Sequence, residues 1–151
     1  MKQSEYLRYD AIALADLIRR GEVSPREVGE AAIERATQVN GRLNAICYPQ
    51  FSEALEQPHP RDGVFSGVPV LLKDLAQEQE GHPCTYGSRG LKDNIATRDS
   101  EFVRRSLEAG LVILGRTATP EFGLKAVTES RLWGASRNPW NTRLTPGGSS
   151  G

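Results

Sequence analysis

Several things are scarce in this sequence, and each scarcity narrows what the protein can be. Two cysteines, Cys47 and Cys84, are too few for a disulfide framework and are expected as reduced, partly buried thiols. The two histidines, His59 and His82, sit in proline-flanked stretches, and neither has a second ligand at i, i+4, so no metal and no cofactor is expected. Charge of one sign is not in excess: nineteen Lys+Arg balance nineteen Asp+Glu, which removes any electrostatic reason to expect nucleic acid or an anionic membrane as partner. Long apolar runs are missing too. Val68–Leu72 and Leu111–Leu114 fall far below the length that crosses a bilayer, and the first six residues carry no apolar segment of a signal peptide. The expected location is the cytoplasm.

What is present is globular in character. Apolar residues at 38% and charged residues at 25% suit a chain that buries a core, and 151 residues suffice for one domain. Asp10 ahead of Ala11–Arg20, with Gly21 after it, has the form of a capped helix. Ser24-Pro25-Arg26-Glu27 is a capping box with proline at the first helical position; it predicts a second helix ending near Asn40-Gly41. Gln57–Gly63 is polar and proline-bearing, a loop. The pattern then changes. Gly67–Leu72 and Leu111–Gly115 are short apolar runs of buried-strand type, and between them Asp99 or Ser100 caps a helix over Glu101–Ala109 that Gly110 closes. A strand, a helical connection and a second strand predict a parallel pair joined by a crossover. Thr119-Pro120 has the form of an N-cap and first residue of one helical turn, and Pro139-Trp140 that of a loop anchored by a buried indole.

Two places could carry chemistry. Lys73 closes an apolar run, where an amine must pair, reach solvent or lose its proton; a desolvated lysine can serve as general base. The Gly147-Gly148-Ser149-Ser150-Gly151 segment leaves hydroxyls and amide N–H groups uncovered. It fits a flexible linker, and it also fits the Gly-x-Ser-x-Gly nucleophile elbow, with Ser149 attacking. Thr145-Pro146 stands where the elbow needs a strand, and no Gly-Lys-Ser/Thr follows within these 151 residues for a phosphate loop.

In order and spacing, these segments resemble the amidase-signature family. The resemblance is carried by Gly67-Val68-Pro69-Val70-Leu71-Leu72-Lys73-Asp74, Thr85-Tyr86-Gly87-Ser88, Ala109–Thr117 with Pro120-Glu121-Phe122-Gly123, Asn138-Pro139-Trp140-Asn141, and Pro146–Gly151. Within the family, the variants around Lys73, Arg116 and Thr128-Glu129-Ser130 are similar to a bacterial branch that includes the nylon-oligomer (6-aminohexanoate) cyclic-dimer hydrolases. The resemblance implies an α/β fold with a mixed sheet surrounded by helices, here incomplete. Residues 1–151 would be the N-terminal portion of one domain, helical over 1–50 and carrying a strand-and-loop catalytic part over 64–151.

It also implies hydrolysis of a carboxylic amide through a serine acyl-enzyme. Lys73 would be the general base of a Ser–Ser–Lys triad. Ser149, 76 residues later, would be a bridging proton relay held by a cis peptide bond. The nucleophilic serine would lie past Gly151, so the 151 residues alone are expected to be inactive and poorly soluble. The implied partner is a small-molecule amide, and a homodimer of the full-length protein is compatible with the family. Substrate-binding residues are not legible. The alternative is a non-catalytic or degenerate fragment of the fold acting as a binding module.

Overall fold

The computed structural model describes residues 1–56 and 61–150; His59 and most of the 57–63 loop lie outside the described residues. A single turn, α1 (Gln3–Tyr6), precedes two helices that start as their caps dictate. In α2 (Ala11–Arg19) the Asp10 carboxylate accepts the Ala13 N–H, and Gly21 comes next at φ 70°. In α3 (Pro25–Leu43) Ser24 and Glu27 each satisfy the other's backbone N–H, a reciprocal cap on two otherwise orphaned donors. This helix runs past Asn40-Gly41, because the Asn40 side chain serves the backbone just beyond the helix end. Its Oδ1 accepts the N–H groups of Ala45 and Ile46, and its Nδ2 donates to the Ile46 carbonyl. Asn44 then turns the chain in the left-handed region, φ 49°.

That turn launches β1 (Ile46–Pro49), so the stretch expected to be helical through residue 50 ends in a strand. After α4 (Phe51–Glu56) come β2 (Pro69–Lys73), α5 (Glu101–Glu108) and β3 (Val112–Thr117). β3 lies at the centre of a three-stranded mixed sheet, antiparallel to β1 and parallel to β2. The parallel pair with a helical crossover is therefore present, and Ser100, rather than Asp99, caps α5 through the Val103 N–H. β3 is buried from Val112 to Arg116, whereas in β2 only Leu72 is fully buried. An edge position leaves Pro69, Val70 and Leu71 half-covered, less than the buried strand expected from their apolarity. Gly115 is required at the β1 crossing: at φ 143°, a Cβ there would sit 2.3 Å from the Tyr48 carbonyl oxygen.

Side-chain alternation along β3 builds the layers. Val112 and Leu114 pack with Ala32 of α3 and Ala54 of α4 on one face. Ile113 packs with Leu72 and Val103 of α5 on the other. A further cluster of Leu14, Ala15, Val28 and Val68 joins α2 and α3 to the lead-in of β2. The result is a mixed α/β fold with helices on both faces of the sheet. No helix among the described residues is long and apolar enough to cross a membrane.

Beyond β3 the chain is mostly turns, with one two-stranded ribbon, β4 (Glu129–Ser130) and β5 (Gly134–Ala135). Two local expectations fail here. Pro120, not Thr119, occupies the cap position of the 3-10 turn Glu121–Gly123, and no side chain caps it; the Thr119 hydroxyl donates instead to the Ser149 carbonyl, 3.4 Å away. Trp140 is 96% exposed. Its loop is closed by its own backbone, Asn138 to Leu144 and Leu144 to Asn141, so the indole is not needed as an anchor.

Candidate active site

The parallel β2–β3 pair ends with Lys73 beside Thr117. From that edge the Lys73 amine reaches the closing glycine turn, where Nζ stands 3.0 Å from Ser149 Oγ and 2.8 Å from Ser150 Oγ. The two groups singled out from the sequence are therefore neighbours. Ser150 is an additional partner that reading the chain did not single out. Burial lowers the Lys73 pKa from its ordinary value, since the ammonium loses solvent as the residue packs. An amine shifted that way and bonded to two hydroxyls gives up its proton more readily than a surface lysine.

The turn is held by threonine hydroxyls. Thr128 Oγ1 donates to the Gly147 carbonyl at 2.7 Å, and the Gly147 N–H donates to Thr145 Oγ1 at 3.2 Å. Gly147 adopts φ 96°, and the Gly148–Ser149 peptide bond is cis. Gly148 passes so close to the backbone of Lys125 and Val127 that a Cβ would lie 2.8 Å from both. A side chain at 148 would force either that backbone or the turn to shift.

Asp74, next to the lysine in sequence, organises the surroundings. Its buried carboxylate accepts the Thr85 N–H at 2.6 Å, the Thr85 hydroxyl, the Gly87 N–H at 3.4 Å and the Trp133 indole N–H at 2.9 Å. The Thr85–Ser88 segment is thereby fixed to the end of β2, and Trp133 ties in the β4–β5 ribbon. Trp133, half-buried, performs the anchoring role expected of Trp140. Ser88 Oγ donates to Glu121 at 2.6 Å, and the Phe122 N–H donates to the Tyr86 carbonyl. The Tyr86 and Phe122 rings stand 6.2 Å apart, and Gly123 borders the Ser149 side chain. The Tyr86 hydroxyl donates to Glu78, which together with burial pushes its pKa up to about 12.

Among the described residues no cluster of three His, Cys, Asp or Glu could hold a metal. His82 places one ring nitrogen on the Glu80 carbonyl and the other on the Glu53 carboxylate, each at 2.9 Å. Cys47 and Cys84 are free thiols.

The family model described as Amidase matches residues 27–151, which include both Lys73 and the glycine turn. The chain belongs to the amidase family. Among its relatives, the 6-aminohexanoate-cyclic-dimer hydrolase of Paenarthrobacter ureafaciens is 44% identical over 144 residues, covering 94% of this chain and 29% of that protein. The indoleacetamide hydrolase of Bradyrhizobium diazoefficiens is 37% identical over 153 residues, 95% of this chain and 29% of its own length. In three dimensions, a 6-aminohexanoate cyclic dimer hydrolase complexed with substrate matches 94% of this chain and 30% of its own with a TM-score of 0.88 and 43% identity. A fatty acid amide hydrolase matches 99% of this chain and 28% of its own, TM-score 0.92, at 26% identity. The chain thus spans under a third of the length of these family members.

Proposed function

We propose that this chain supplies the base and the proton relay of an enzyme that hydrolyses a small-molecule carboxylic amide through a serine acyl-enzyme. The observation that carries the reading is the pair of contacts from the Lys73 amine to the hydroxyls of Ser149 and Ser150. In this scheme neutral Lys73 accepts the Ser149 hydroxyl proton while Ser149 accepts the proton of the attacking serine. The serine oxygen bonds to the amide carbonyl carbon. Proton return along the same path protonates the nitrogen as the C–N bond breaks and the amine departs, leaving the acyl-serine. Water then enters by the same base catalysis, forms the acid and frees the serine. Following the family resemblance, Ser149 is read as a relay rather than the attacking group, its hydroxyl bonded to the Lys73 amine.

The attacking serine and the groups that stabilise the oxyanion are assigned to residues past Gly151. Residues 64–151 then form the catalytic part of a domain that continues beyond them, and a polypeptide of these 151 residues alone turns over no amide.

The test is turnover of simple amides by the protein carrying this chain. Lys73→Met and Ser149→Ala are each expected to lower kcat/KM by roughly a hundred- to ten-thousandfold, the range for losing positioned acid–base groups. Parental turnover in either variant overturns the reading.

A further inference from the structure

Past Lys73 the chain doubles back on itself. Ala76 takes a left-handed conformation, φ 56°, and the turn returns the Gln77 side chain to the lysine's own backbone. Gln77 Oε1 accepts the Lys73 N–H at 2.5 Å. From the neighbouring strand, Arg116 Nη1 donates to the Lys73 carbonyl at 3.3 Å and to the Gln77 carbonyl at 2.8 Å. One nitrogen therefore bridges the two ends of the turn, while the glutamine closes it from within. Both backbone polar groups of Lys73 are taken, one by Gln77 and one by Arg116.

Arg116 is also the largest fully buried side chain, with 0% exposure at the centre of the sheet. Its Nε and Nη2 find no hydrogen-bond partner among the described residues. A buried guanidinium served by two carbonyls costs more than it returns in stability, and an apolar residue would fill a central strand more cheaply. Its location identifies what the cost supports: among the described residues, the only groups its side chain holds are the ends of the lysine turn.

We propose that Arg116 and Gln77 are positioning residues for Lys73, a staple that fixes the turn and aims the amine at Ser149. This rests on the assignment of Lys73 as base. The groups facing that amine are the hydroxyls of Ser149 and Ser150, while Asp74 is turned toward Thr85 and Trp133.

The experiment tracks the Lys73 side-chain resonance against pH in the lysine-labelled protein carrying this chain. The signal is assigned by its loss in Lys73→Arg, and Lys73 amide exchange is measured alongside. In Gln77→Leu and Arg116→Met the titration is expected to rise by about half a pH unit or more, and the Lys73 amide to exchange at least about tenfold faster. Arg116→Lys, which keeps the charge and loses the fork, falls between parent and Arg116→Met. Val28→Ala, in the helical cluster remote from the turn, lowers Tm and leaves both readouts at parental values.

An unchanged titration and an unchanged Lys73 amide in Gln77→Leu overturn the staple; this variant alone decides if Arg116→Met does not fold. Failure of the base assignment looks different. Lys73 of the parent would then titrate as an ordinary lysine, and the staple would be judged on amide exchange.

Discussion

At the scale of single residues, folding partly shields one amine, that of Lys73, from water. Burial lowers the Lys73 pKa below its ordinary 10.5, so the folded chain binds fewer protons there than the unfolded chain across the interval between the two values. The penalty for a protonated Lys73 is thus fully present below the folded value and disappears as pH rises to the unfolded one. Lys73→Met should accordingly gain stability over the parent near neutral pH, and the gap should narrow toward pH 10 and above in denaturant titrations. A gap independent of pH contradicts the shift. The sequence pointed to Lys73 and Ser149 separately, through an apolar run and a glycine turn, and only the family resemblance joined them. Trp133, Gln77 and Arg116 were not legible as partners. Trp133 meets Asp74 across 59 residues of sequence, and no local pattern encodes such a contact.

At the scale of elements, the most legible parts are those whose signals are local. The caps at Asp10 and Ser24 and the crossover from β2 to β3 are written in side chains next to the backbone they serve. β1 escaped because its start depends on Asn40, whose Asn-Gly context resembles a helix stop. The burial of β2 was overestimated for a related reason: apolarity does not tell an edge strand from a central one. The close passage of β1 over β3 gives an element-level prediction. Gly115→Ala places a Cβ against the Tyr48 carbonyl in a conformation that disfavours any side chain, so it should cost about 3 kcal/mol. Ser24→Ala, which removes one cap, should cost about 1 kcal/mol. Urea denaturation of the two variants checks the order; equal midpoints would remove Gly115 from its role in the sheet.

At the scale of the whole molecule, the chain spans 29% of the cyclic-dimer hydrolase it resembles in sequence. Its described surface carries large apolar side chains, among them Ile12, Val64, Phe122, Leu124, Trp140 and Leu144. Phe122 and Leu124 flank Gly123, which itself borders Ser149. Exposed apolar groups beside the glycine turn suit a surface that other polypeptide covers. Prepared as an isolated polypeptide, residues 1–151 should self-associate in sedimentation velocity at micromolar concentration. A monodisperse monomer with one cooperative melt would contradict this reading of the surface.

The proton path proposed from the Lys73 amine through the Ser149 hydroxyl is most directly tested by the pH dependence of kcat/KM for an amide substrate of the protein carrying this chain. The rate is expected to climb with the loss of one proton, at a pH below that of an ordinary lysine, and this limb to vanish along with most of the rate in Lys73→Met. A Lys73→Met enzyme with the parental profile would contradict it.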